Sequence, residues 1–213
     1  MKTPPTSNDA FNIIALGAWN PAIFSPVWVK EHLANDQAAE VVMAFPLSAN
    51  DNPPRITVDG IYIYPSPRVL MFDCVTYDVP SIDSCAGKIG RIAELLPHTP
   101  VSALGINFRF WGSVDDGAVL AELFTFADAA RINADSYKAS SASIKRSFGI
   151  DESTTLNLNI EASSSDLKIE FNFHSNIQHI SEFSVKATAD RIRSLRTSAV
   201  NFLKDVYEVE LES

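Results

Sequence analysis

Asp73 and Glu170 are the carboxylates best placed to do chemistry, because each falls on the polar side of a strand that the residue pattern puts at or near the centre of a sheet. Two carboxyl groups about 5–10 Å apart could divide acid and base work between them. No spacing brings these two together, and solvated positions on a strand face explain them equally well. Ser84-Cys85 lies near a predicted helix start, where free backbone N–H groups lower a thiol pKa. No base stands beside it in the sequence, and the chain contains no GxSxG elbow. His32, His98, His174 and His179 include no HExxH pair and no close cysteine partner, so nothing indicates a zinc site with its three or four ligands. A composite site with Asp73 or Asp78 is the one metal arrangement left. Gly87-Lys88 and Gly90 sit inside a predicted helix and lack the Ser or Thr that completes a phosphate loop. No cofactor and no metal are expected.

Recognition residues are easier to find than catalytic ones. In Asn107-Phe108-Arg109-Phe110-Trp111 the alternation of a strand puts Asn107, Arg109 and Trp111 on one face, with Ile106, Phe108 and Phe110 on the other. An Arg beside a Trp can build a recognition surface from cation–π contact and forked hydrogen bonds, or its stem can simply cover the ring. Asn107, Arg109 and Trp111, with Asp73 and Glu170, are therefore the ligand-binding candidates. Trp19, Phe24 and Trp28 lie close together among prolines, as interface anchors often do and as core-closing residues also do. Arg193 and Arg196 share one face of the last helix, near Lys186 and Arg191. That stripe suits an acidic partner, or else the solvated side of an amphipathic helix paired with its own acids.

The elements that must position these residues follow from periodicity and punctuation. Strands are predicted over residues 11–16 and 39–45. A short helix lies between them, capped by Ser25 with Pro26 at its first position. Residues 55–64 alternate with a phase shift at Asp59-Gly60 that reads as a glycine bulge. Pro65-Ser66-Pro67 turns the chain into a strand over 68–77, and a helix over 82–96 ends at Pro97. A strand over 101–111, a helix over 115–130, three strands over 137–148, 154–162 and 167–173, and a closing helix over 182–206 complete the layout. Glu208, Glu210 and Glu212 then alternate with Val209 and Leu211, as a short strand or an edge contact would.

Both halves thus read strand, helix, three strands, helix, which suggests a duplicated unit with pseudo-repeats at residues 11–97 and 101–207. The fold class expected is α+β, a mainly antiparallel sheet packed by helices, in one domain over residues 11–213 after a flexible tail at 1–10. The 213 residues are 46% hydrophobic and include 13 Phe, enough for a sizeable core. With 17 Lys and Arg against 26 Asp and Glu the formal net charge is -9, which disfavours contact with phosphate backbones. Cys74 and Cys85 are the only cysteines and read as reduced thiols. No leader or membrane-length apolar stretch is visible, so the expectation is a cytoplasmic protein. Its expected role is protein–protein interaction or assembly, as a homodimer or in a larger complex. The alternative is a ligand-binding or enzymatic pocket between sheet and helices.

Overall fold

Alternation along each strand divides the molecule into two faces. In β1 (Phe11–Gly17) the side chains of Phe11, Ile13 and Ala15 are 1% exposed or less, whereas Leu16 is 38% exposed. The same period buries Ile56 and Val58 in β3 (Arg55–Val58), Ile61 and Ile63 in β4 (Ile61–Pro65), and Leu70 and Phe72 in β5 (Val69–Cys74). In the second half it buries Phe108 and Phe110 of β6 (Val101–Ser113), Leu156 to Ile160 of β8 (Thr154–Ser163) and Ile169 to Phe173 of β9 (Asp166–Asn176) at every second position. β2 (Val42–Ala44) and β7 (Ser141–Gly149) complete the set. The computed structural model describes residues 11–46, 53–74, 78–113, 124, 141–163 and 166–209.

Among those residues the strands form a single antiparallel sheet of nine in the order β2-β3-β4-β5-β1-β6-β9-β8-β7. Four α-helices accompany it: α1 (Pro26–Leu33), α2 (Val79–Leu95), α3 (Phe183–Lys186) and α4 (Ala189–Tyr207). The fold is α+β. Reading outward from the central β1–β6 pair, each half places its first strand innermost, then its last, then the preceding ones in turn. Apart from Phe124, the helix expected over 115–130 lies outside the described residues, as does the tail at 1–10. The first half has five described strands and the second four, so the expected identical order of elements in the two halves is not established.

The helices share one face of the sheet. α1 packs against β3, α2 against β4 and β5, and α4 against β6. Val29, Ile82, Ile89, Ile92, Leu195 and Leu203 join Ile13, Phe72 and Phe108 in one core. No described helix is long and apolar enough to cross a membrane.

Lys88 ties three of these elements together from inside. Its side chain is 2% exposed, and Nζ donates to Leu33 O (2.8 Å), Asn35 Oδ1 (3.3 Å) and Asp59 Oδ2 (2.7 Å). A buried ammonium is tolerable only when paired and hydrogen-bonded in this way. The glycine-lysine pair that resembles part of a phosphate loop is therefore structural: the lysine satisfies a free carbonyl at the end of α1 and anchors the β3–β4 turn.

Several boundaries differ from expectation. The phase shift at Asp59-Gly60 is a two-residue hairpin turn and not a bulge. Both residues have positive φ (49° and 73°), the conformation that matches the twist of the flanking strands, and β3 pairs with β4 around them. The strand predicted over 39–45 shrinks to Val42–Ala44. α2 begins at Val79 because Asp78 caps it, accepting from Ser81 N at 2.8 Å, with Pro80 in the first turn. Cys85 consequently lies well inside the helix, fully buried. A hydrogen bond with Cys74 and burial push its thiol pKa well above the ordinary value, opposite to the activation its position suggested. The closing helix is interrupted: a 3-10 turn (Ile180–Glu182) and α3 precede α4, which Thr188 starts afresh by accepting from Arg191 N.

Candidate functional site

The face away from the helices holds all five ligand-binding candidates. On β6 the alternation that buries Phe108 and Phe110 turns Asn107, Arg109 and Trp111 to this side. Cross-strand register then assembles rows at right angles to the strands. Asp73 lies opposite Asn12, Asn12 opposite Asn107, Asn107 opposite Asn172, and Asn172 opposite Asn157. Ser147 of β7 ends the row opposite Asn157.

That row is a hydrogen-bonded chain with one polarity. Ser147 Oγ donates to Asn157 Oδ1 (2.8 Å), Asn157 Nδ2 to Asn172 Oδ1 (2.9 Å), Asn172 Nδ2 to Asn107 Oδ1 (2.6 Å) and Asn107 Nδ2 to Asn12 Oδ1 (2.7 Å). An amide carries two N–H donors and an acceptor oxygen, so each asparagine can accept from one neighbour and donate to the next while keeping hydrogen-bonding capacity for a partner. Gly105 makes room for it: a Cβ there would come within 3.1 Å of Asn172 Nδ2. Asn12 and Asp73, at the middle of the sheet, are each 4% exposed.

The next row is charged. Arg109 Nε donates to Glu170 Oε1 at 2.7 Å, Lys168 Nζ lies 3.1 Å from the same oxygen, and Asn159 Nδ2 donates to Glu170 Oε2 at 3.1 Å. Burial opposes ionisation of Glu170, but the hydrogen bonds from Asn159, Arg109 and Lys168 outweigh it and hold its pKa below the ordinary value. A carboxylate held ionised in this way serves poorly as a proton donor near neutrality. Asp73 and Glu170 stand on different rows, four strands counted inclusively from β5 to β9, with β1 and β6 between them. These observations favour binding over acid–base chemistry.

Toward β3 the same face changes character. Tyr62 lies opposite Asp73, and Tyr64 opposite Met71, which lies opposite Ile14. The Arg55 guanidinium sits 4.7 Å from the Tyr62 ring centre. Burial and then the Asp73 carboxylate raise the Tyr64 pKa, with Arg55 acting against them. With Val69 and Leu16, these residues form an aromatic and aliphatic patch outside the main core.

The interface candidates fare differently. Trp19 (4% exposed) and Phe24 (0%) are spent inside the chain's own core and offer no surface. Trp19 Nε1 donates to Ala15 O at 3.0 Å, and its ring meets Phe183. Trp28 is half-buried between Phe24 and His32. Arg193 joins α4 to α2 through Asp83 and also pairs with Asp190 at 2.7 Å. Arg196 is partly buried, which lowers its pKa. Arg191 pairs with Asp151 at 2.9 Å, and Lys186 donates to Ser153 Oγ. The basic cluster is thus engaged mostly with its own chain. Among the described residues no three His, Cys, Asp or Glu side chains are grouped to hold a metal.

Asn12, Tyr62, Tyr64 and Asn172 belong to this face but were missing from the candidate set. For three of them the signal was present: Asn172 alternates with Phe171 and Phe173 on β9, and Tyr62 and Tyr64 alternate with isoleucines on β4, whereas Asn12 stands in an otherwise apolar β1. No family model matches the sequence, and no curated protein matches it.

Proposed function

We propose that this protein is a non-catalytic interaction or assembly module whose working surface is the sheet face away from the helices. The observation that supports the reading is the contiguous patch of Tyr62, Tyr64, Met71, Ile14, Val69 and Leu16 beside the amide row. Tyr, Met and Arg are the residues enriched at the centres of protein interfaces, where charged side chains are few. The simplest partner is a second copy, because symmetric dimers are the commonest assembly. The two sheet edges suit pairing less well: β2 is only three residues long and β7 carries Lys145 and Arg146 at its middle, both devices that discourage edge-to-edge association. A nucleic-acid partner is disfavoured by the net charge of -9 and by the engaged arginines of α4. Cys74 and Cys85, both free and buried, suit a reducing compartment, and we place the protein in the cytoplasm.

Surface variants test the reading. Met71→Lys and Tyr64→Asp put charge into the patch and are expected to weaken self-association by at least about tenfold, the equivalent of one lost anchor. Val185→Lys, at a position 71% exposed on α3, is expected to leave association unchanged. Equal association of all three variants and the parent in sedimentation velocity would remove this face from the account.

A further inference from the structure

The amide and charged half of the same face contains a cleft of about 380 Å³ across β6, β9, β8 and β7. That volume falls in the range of roughly 300–1,000 Å³ typical of small-molecule sites. In a chain whose formal net charge is -9, the lining is positive: Arg109, Lys145 and Arg146 stand against Glu170 alone. Both oxygens of Glu170 are already engaged, Oε1 by Arg109 and Lys168 and Oε2 by Asn159. Beside the cleft, Glu161 accepts from Asn159 and lies opposite Lys168, so that pair leaves the balance unchanged. Arg146 donates to Tyr207 Oη at 3.4 Å, a neutral partner that does not cancel its charge. Lys145 is exposed on the cleft wall, and among the described residues no acid pairs with it.

The amide row brings more donors to the same place. Asn157 and Asn172 each accept on Oδ1 and donate one N–H along the row, so each keeps a second N–H. Asn157 is also the diagonal neighbour of Lys145, which lies opposite Asn159 in the register. Diagonal neighbours on one face are roughly 7–8 Å apart, within reach of a long side chain. An ammonium beside an unspent amide N–H suits an ionised acceptor, to which hydrogen bonds are about twice as strong as to a neutral one. We propose that this cleft binds a small organic oxyanion, a carboxylate or phosphate ester in class, whose charged oxygens accept from Lys145 Nζ and Asn157 Nδ2. The remainder of the ligand lies along the amides toward Asn172 and Arg109. This goes beyond the partner-binding patch, which lies on the β3–β1 side, and the two fail independently.

The test is titration of the isotope-labelled full chain, at matched ionic strength, with succinate, citrate, glucose phosphate and glycerol phosphate. Neutral glucose, sulfate and inorganic phosphate serve as controls. At least one organic anion is expected to give saturable shifts of the amide resonances at 145–147, 157–159 and 170–172. A response to the carboxylates alone, or to the phosphate esters alone, supports the proposal and identifies the oxyanion. Lys145→Gln should weaken that binding by about tenfold and Lys145→Glu should abolish it, while Lys145→Arg retains it. Lys145 is exposed, so these variants should melt near the parent temperature. Met71→Lys, which disrupts the other patch, should bind the anion as the parent does. No saturable shift with any organic anion overturns the proposal. So does undiminished binding by Lys145→Glu, and so do equal shifts with sulfate or inorganic phosphate, which would mean an adventitious ion only.

Discussion

Glu170 and Lys88 show how differently a paired charge behaves at the surface and in the interior. Glu170 is held ionised by Arg109, Lys168 and Asn159, with its pKa below the ordinary 4.5. A carboxyl depressed in the folded state adds stability that is present above its unfolded pKa and lost as pH falls through the folded one. Glu170→Gln should therefore show a shallower loss of stability below about pH 4.5 than the parent, in denaturant titrations at a series of pH values. At neutral pH, Arg109→Ala should cost about 1 kcal/mol, because Lys168 and Asn159 still serve the carboxylate. In a chain of this length that lowers the melting temperature by about 3 °C. An unchanged value would mean that the ion pair is not formed in solution. Lys88→Met should cost about 3 kcal/mol, since it leaves the Asp59 carboxylate without its partner. Adding Asp59→Asn should recover part of that loss in urea unfolding. Of these residues, the sequence pattern marked Arg109 and Glu170 by strand phase. Lys88 was not legible as a buried residue, because its partners Leu33, Asn35 and Asp59 come from a different stretch of chain.

Local chemistry explains most element boundaries. Ser25 with Pro26 and Asp78 with Pro80 are helix starts written in adjacent residues. Asp59-Gly60 is a hairpin signal of the same local kind, and reading it as a bulge would have kept β3 and β4 as a single strand. Thr188 interrupts the last helix by a cap, and the buried positions change phase there. Ile192 lies nine residues after Phe183, half a turn away on a continuous helix. The break was therefore present in the apolar spacing, although the expected helix ran through it. At the other end of α4, Glu208 adopts a left-handed conformation (φ 54°, ψ 30°), and Val209 folds back to donate to Leu203 O. Val209 is 1% exposed, the apolar contact that accompanies this type of helix end. The tail alternation that suggested a strand therefore begins as a helix cap. Glu208→Gly removes the cost of a side chain in that conformation and should stabilise the protein by about 1 kcal/mol. A lower melting temperature for that variant would show that Glu208 makes a contact worth more than its backbone strain.

For the whole molecule, the consequence of nine strands with helices on one face is a broad second face that the chain must make compatible with water or with a partner. The half from β6 to β7 meets that demand with amides and ion pairs, and the half from β3 to β1 leaves Tyr62, Tyr64, Met71 and Leu16 there instead. Antiparallel pairing and the alternating burial of single strands were readable from Leu156, Leu158 and Ile160 or from Ile61 and Ile63. Strand order was not, because it depends on β1 and β6 pairing across 90 residues or so of intervening chain, and no local residue encodes that contact. The convergence of Asp73, Asn107 and Glu170 on one face followed from order and register together. It was therefore visible only once the sheet was assembled. The solution mass of the purified chain, measured by light scattering across a concentration series, bears most directly on the central proposal. A mass rising with concentration from 23.3 kDa toward twice that value, and held at the monomer value by Met71→Lys, is the predicted result. A parent protein that stays at 23.3 kDa throughout would contradict self-association through this face.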